Sequence, residues 1–208
     1  MSKISYYHKI LIKCFLDYLL IVLAFPLVAL IFITISFVLI KTSGFSIFYI
    51  QNRTGKNGKV FKMYKFRTMV KGADKMQSKY KNLNEADGPV FKIRNDPRYT
   101  KFGKFLSRTG LDELPQIINV LKGEMSLVGP RPLPVYEAKK LTKAQNIRLL
   151  VKPGITSSWI ANGHHKHKFA DWMQLDKVYV QNASLITDIN ILYKTVLIPI
   201  RYILQLFN

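Results

Sequence analysis

Residues 18–40, YLLIVLAFPLVALIFITISFVLI, form a run of 23 residues without a charge. As a helix this run would be roughly 35 Å long, enough for a hydrocarbon core of about 30 Å. It reads poorly as a signal peptide, because it is too long and no small-x-small cleavage site follows. Lys3, Lys9 and Lys13 precede it; Lys41, Arg53, Lys56, Lys59, Lys62, Lys65 and Arg67 follow it. Positive charge marks the cytoplasmic side of a membrane segment. A spanning helix would leave the first cluster outside. Both clusters are cytoplasmic only if the segment enters and returns. Pro26 permits a return, since proline lacks an N–H and clashes with the preceding turn. The arms on either side would be about 12 Å and 22 Å long, and neither crosses alone. A single pass with a proline kink is the alternative, and on these residues the two stand level. Asp17 lies one helical turn after Lys13, at the spacing of an i,i+4 pair.

The rest of the chain has to explain an unusual composition. Its 208 residues include 32 Lys and Arg against 12 Asp and Glu, for a net charge of +20, yet 49% are hydrophobic. A disordered basic tail would lack the apolar residues, so wholesale disorder is excluded. The single cysteine, Cys14, excludes an internal disulfide framework and a Cys-rich zinc site, and it reads as a small hydrophobe. Basic and apolar together point to an anionic partner, a membrane surface, or both. Residues 45–208 hold +17 of the charge.

Residues 47–51 and 60–69 read as two strands around a turn containing Gly55 and Gly58. On the second strand Lys65 and Arg67 would share a face. Residues 70–84 read as a solvated helix. From Arg53 to Lys81 there are ten basic residues and one acid, Asp74; beside a membrane segment such a stretch suits anionic lipid or a phosphate. Residues 101–107 read as a short amphipathic helix. Leu111-Asp112-Glu113-Leu114-Pro115-Gln116 places a proline and two acids in the first turn of a helix, where they belong, and that helix stops near Gly123. Residues 125–128 form an apolar strand running into the Gly129-Pro130-Arg131-Pro132 loop. Residues 137–150 read as a helix and 152–156 as a turn. Residues 184–207 form an amphipathic helix, either packed on the core or lying in the membrane interface. The fold class is α+β: a mainly helical cytoplasmic domain with a small β-hairpin over 45–208, preceded by a membrane-inserted helix over 1–44.

The chemistry is concentrated in few residues. Asp112 and Glu113 are adjacent acids in a cationic chain. A carboxylate at a helix N-terminus near cations has a depressed pKa, so it is ionised and serves as nucleophile or metal ligand; ordinary dipole complementation is the structural alternative. Arg67, Arg98 and Arg131 offer forked donors that suit phosphate oxygens. His164, His165 and His167 match no strong metal-ligand spacing. There is no P-loop, GxGxxG, nucleophile elbow or HExxH. Phe48, Tyr49, Phe61, Tyr64 and Phe66 interleave with lysines as on a nucleic-acid stacking surface, but no recognition motif accompanies them. A polybasic membrane adaptor is a further non-enzymatic reading.

Six stretches in fixed order resemble the bacterial sugar transferases, the monotopic phosphoglycosyl transferases: Lys65-Phe66-Arg67-Thr68-Met69, Asn95-Asp96-Pro97-Arg98, Leu111-Asp112-Glu113-Leu114-Pro115-Gln116, Ser126-Leu127-Val128-Gly129-Pro130-Arg131-Pro132, Lys152-Pro153-Gly154-Ile155-Thr156 and Leu175-Asp176-Lys177-Val178-Tyr179. The resemblance spans nearly the whole chain. It implies transfer of a sugar 1-phosphate from a UDP-sugar to a polyprenyl phosphate, releasing UMP, as the first membrane step of surface-glycan synthesis. Asp112 would be the nucleophile that forms a covalent phosphosugar intermediate, and Glu113 its assistant. Magnesium would sit near the dyad with Asp112 as its ligand. Lys65, Arg67 and Arg131 would clamp phosphates, with Arg98 a further candidate. The resemblance also implies a re-entrant helix broken at Pro26, both ends on the cytoplasmic face of the bacterial inner membrane, in contact with anionic lipid and not nucleic acid. The oligomeric state stays open, a homodimer included. Two departures stand out. Phe25 replaces a serine common before the proline. Ser157, Ile160 and His164 replace glycine, glutamine and arginine, so contact of that loop with the nucleotide or sugar would imply an atypical specificity.

Overall fold

The computed structural model describes Ser5, residues 11–163 and residues 168–207. Lys3, Lys9 and the histidines His164, His165 and His167 lie outside the described residues. Helix α1 (Leu11–Ser43) is a single helix of 33 residues that contains Pro26 without ending there. At 1.5 Å per residue it is about 50 Å long. Its buried residues are Lys13, Asp17, Ile21, Ile35 and Leu39. At 100° per residue these five fall on one narrow stripe. Residues 22–27 are all exposed, including Ala24, which lies on that same stripe. The helix therefore meets the domain near both ends and stands clear of it around Pro26.

Each end is held by a different kind of contact. Near the N-terminal end, Asp17 accepts hydrogen bonds from the Ser126 hydroxyl (2.6 Å) and the Leu127 N–H (3.3 Å). Lys13 pairs with Asp188 of helix α7 (Leu185–Phe207), and the Tyr179 hydroxyl donates to the same carboxylate at 2.7 Å. Near the C-terminal end, Ile35 and Leu39 pack with Phe66 and Leu106.

Strands β1 (Phe48–Thr54) and β2 (Val60–Phe66) form the expected antiparallel hairpin, with Phe48 opposite Phe66 and Thr54 opposite Val60. The alternation of β2 puts Phe61, Met63 and Lys65 on one face. Phe61 and Met63 pack on Ile21, Val120 and Met125. Phe66 is also buried, against Phe32 and Phe48. Phe61 and Phe66 are thus core residues rather than a stacking surface. Strand β2 ends before Arg67, so Lys65 and Arg67 do not form one strand face.

Two expected helices are replaced by turns. Residues 71–77 are a chain of turns, followed by a 3-10 segment at Ser78–Leu83. Lys71, Lys75 and Lys79 would stack at i,i+4 on a helix and repel, and Gly72 takes a left-handed φ of 81°. In 137–150 only α4 (Val135–Ala138) and a 3-10 turn (Gln145–Leu150) form. Thr142 and Gln145 cap each other reciprocally, side chain to backbone N–H in both directions (3.3 and 2.9 Å). That capping box starts a new turn where one long helix was expected.

Helix α2 (Lys101–Thr109) begins at Thr100, whose hydroxyl accepts from the Gly103 N–H, and ends at Gly110 with φ 75°. That left-handed residue turns the chain directly into the 3-10 segment Leu111–Gln116 and then helix α3 (Ile117–Leu121). Strand β3 (Ser126–Val128) pairs in parallel with β4 (Gly154–Thr156), a second small sheet where a turn was expected. A Cβ on Gly154 would lie 2.0 Å from the Gly129 nitrogen. Glycine here lets the loop after β3 press onto β4. Helices α5 (Ser158–Ala161), α6 (Phe169–Asn182) and α7 close the domain. Trp159 and Trp172 stack at 4.5 Å between α5 and α6.

Candidate active site

Asp112 and Glu113 begin the 3-10 segment that follows Gly110, and the segment lies across the Lys65 face of β2. The two acids are neighbours with different surroundings. Glu113 takes nearly all the positive charge. Lys65 Nζ donates to its Oε1 at 2.6 Å, and the Arg131 fork binds both of its oxygens, one at 2.9 Å. Such two-pronged, charge-assisted contacts are the strong kind. Asp112 is 7% exposed, and Lys65 approaches its Oδ2 only to 3.6 Å, beyond hydrogen-bond range.

The proton affinities follow from that division. For Asp112, burial raises the pKa from 3.8 to about 6; Lys65 lowers it only in part, and Glu113 raises it further. For Glu113, burial also pushes upward, but Arg131 and Lys65 outweigh it and hold the carboxyl well below the usual range. The sequence-based expectation of a depressed carboxylate thus holds for Glu113 and fails for Asp112, because the two acids share a helix start but the cations bond only Glu113. Above pH 6 Asp112 is an ionised, basic and little-solvated carboxylate.

Two further cations lie close to Arg131. Burial, and then Arg131, lower the ammonium of Lys92 to about 8, and the same two causes lower Arg53. Arg53 reaches the Pro132 carbonyl at 3.0 Å. Neither residue stands out as a site residue in the sequence, where Arg53 reads as one more flanking charge. Gln116 lies one turn after Asp112 on the buried side of the segment. It is 1% exposed, and its amide nitrogen has no hydrogen-bond partner among the described residues. A polar residue in an otherwise buried helical register was the signal that could have found it.

Arg67 and Arg98 are engaged elsewhere. Arg67 donates to the Ser46 carbonyl and hydroxyl, both at 2.8 Å, and to the Phe48 carbonyl at 3.2 Å. Arg98 is buried, grips Asp96 through two nitrogens (2.9 and 2.6 Å) and reaches the Ala73 carbonyl at 3.1 Å. Among the described residues no cluster of three metal-ligating side chains occurs. The dyad still fits magnesium, which typically binds one or two carboxylates and completes its shell with substrate phosphates and water. Asp112, whose oxygens are little used by the protein, is the ligand available for it.

A family model described as bacterial sugar transferase matches residues 7–201. The chain is 43% identical over 157 residues to the galactosyl transferase CpsE of Streptococcus agalactiae, an alignment covering 75% of this chain and 35% of that protein. It is 36% identical over 184 residues to the exopolysaccharide production protein ExoY of Sinorhizobium fredii, covering 86% and 81%. It is 41% identical over 161 residues to the undecaprenyl-phosphate galactose phosphotransferase of Salmonella typhimurium, covering 74% and 33%. The chain thus spans about a third of the longer relatives and four fifths of ExoY.

Proposed function

The chain belongs to the bacterial sugar transferase family, and on that premise we propose that it moves a sugar 1-phosphate from a UDP-sugar onto undecaprenyl phosphate. The observation that carries the proposal is the split dyad: one carboxylate saturated by Lys65 and Arg131, its neighbour buried, only distantly paired and basic. An ionised Asp112 oxygen attacks the β-phosphorus of the UDP-sugar. The bond from that phosphorus to the bridging oxygen breaks, and UMP leaves. The aspartyl phosphosugar is then attacked by a phosphate oxygen of undecaprenyl phosphate. The Asp112 oxygen–phosphorus bond breaks, giving an undecaprenyl diphosphate sugar and free Asp112.

Phosphoryl transfer asks mainly for a positioned nucleophile and stabilisation of charge on the equatorial oxygens. Lys65 and Arg131 supply that charge, and Glu113 holds both in place. Magnesium, held by Asp112 and the substrate's phosphate oxygens, would supply further charge neutralisation. Arg67 and Arg98 contribute through backbone, bracing the end of the hairpin and the 96–98 turn.

The same reading places residues 1–44 in the cytoplasmic leaflet of the bacterial inner membrane and 45–208 as the catalytic domain on its cytoplasmic face. The helix is not broken at Pro26 as expected; a re-entrant α1 that bends there instead is supported by contact with the domain at both ends and by exposure at 22–27. Val22, Leu23, Phe25, Leu27 and Leu30 are each 63–69% exposed, an apolar surface that water would not tolerate cheaply. On α7, Ile186, Ile189, Tyr193 and Val196 present a second apolar face that suits the interface.

The test is UMP release from a panel of UDP-sugars with undecaprenyl phosphate and magnesium. Asp112→Ala is expected to abolish release and Asp112→Asn nearly so, since neither can form the acyl phosphate; full activity of either in detergent refutes the proposal. Tags at both ends are expected to be shielded in intact cells and accessible in inverted vesicles. An N-terminal tag reachable from outside would restore a single pass.

A further inference from the structure

Three consecutive carbonyls of the Gly129–Pro132 loop each accept a hydrogen bond. The Pro130 carbonyl accepts from the Gly154 N–H at 3.1 Å, that of Arg131 from Arg148 at 2.5 Å, and that of Pro132 from Arg53 at 3.0 Å. Two of the three donors are arginine side chains that arrive from other elements. Arg148 comes from the 145–150 turn and is itself held by Asp176 of α6 at 2.9 Å. Arg148 is 3% exposed and Asp176 1%. Burial raises Asp176 to about 6, against the lowering effect of Arg148 and the Trp159 indole, and burial lowers Arg148. A buried ion pair of this kind is rarely worth its desolvation as a stability device, and well-packed apolar residues often replace it without loss. Its distinguishing feature here is the bond to the backbone of the residue whose side chain grips Glu113.

We infer that Arg148, oriented by Asp176, is a positioning residue for the transfer reaction: it fixes Arg131 through its carbonyl, so that the Arg131 fork lands on Glu113 and leaves Asp112 open. The inference rests on the reading of Asp112 as nucleophile. Loss of an outer-shell partner of this kind typically costs about 10- to 100-fold in activity.

The test uses the full chain in detergent with Arg148→Met/Asp176→Leu, which removes both charges together, and with Arg148→Lys, which keeps the charge without the fork. Two readouts are taken. Hydrogen exchange over residues 127–133, measured without substrate, is expected to quicken in both variants while the melting temperature of the double variant stays near wild type. The kcat/KM for UDP-sugar is expected to fall about 10-fold or more. In an Arg131→Ala background the same changes should cost little more, since the side chain they position is gone. Unchanged exchange in a folded variant overturns the inference. So does a wild-type kcat/KM, or a loss that multiplies undiminished on Arg131→Ala. If Arg148→Met/Asp176→Leu does not fold, Arg148→Lys carries both readouts. Absence of UMP release by the wild type would instead refute the proposed reaction, leaving the exchange result to judge the loop.

Discussion

Replacing Asp112 by asparagine should destroy activity and raise stability, and the second effect can be sized. Burial lifts the Asp112 carboxyl from 3.8 to about 6. At 1.36 kcal/mol per tenfold change in proton affinity, keeping that group ionised in the fold costs about 3 kcal/mol. Asparagine is nearly isosteric and carries no charge. Its amide still needs partners, so about 3 kcal/mol is an upper bound, or roughly 6–12 °C in melting temperature for a chain of this size. The pH dependence gives the test its edge. Above pH 6 the aspartate is ionised in both folded and unfolded chains, and the full cost is present. As pH falls through 6 toward 3.8 the folded chain takes up its proton first, wild type gains stability, and the gap to the variant closes. Differential scanning fluorimetry in detergent from pH 5 to 8 measures it. A variant less stable than wild type at pH 8, or a gap that does not narrow on acidification, would refute the reasoning and place Asp112 in a solvated or fully paired site.

Other outcomes follow from the same geometry. Glu113→Gln should slow transfer and move the acidic limb of kcat/KM to lower pH, because Glu113 raises Asp112 and no longer would; a pH–rate profile reads the direction. Gly154→Ala should cost several kcal/mol or prevent folding, since its Cβ would meet the Gly129 nitrogen at 2.0 Å; an unchanged melting temperature would contradict the close approach of β4 and the Arg131 loop. Leu106→Ala, at a fully buried position beneath α1, should cost about 2–5 kcal/mol, seen as a lower melting temperature.

Much of the fold can be read locally. Charge-free length and hydropathy mark α1, alternation marks the hairpin, the acid-proline pattern marks the dyad turn, and periodicity marks α7. Each depends on neighbours within about a turn or a strand pair, and each forms close to the expected residues, although α1 runs unbroken through Pro26 and the second strand stops at Phe66. The errors have the same origin in reverse. Residues 70–84 and 137–150 carry helix-compatible residues, but Gly72, stacked lysines and the Thr142–Gln145 capping box decide otherwise. The β3–β4 pairing joins segments about 28 residues apart and leaves no periodic trace in either.

The site divides the same way. That Asp112, Glu113, Lys65 and Arg131 are candidates for phosphate chemistry can be read from residue type and motif, and the fold brings the four together. Which cation serves which acid cannot be read that way. Lys65 and Arg131 stand 48 and 18 residues from Glu113, and only folding decides that both converge on it rather than on Asp112. Arg98 looked equivalent to Arg131 as an isolated arginine, yet Asp96, two residues away, claims it. The sequence alone determined a basic domain attached to an apolar helix and carrying a paired acid. Tertiary structure decided which acid is left open, because charge pairing depends on distances of a few ångströms between elements that no local pattern encodes.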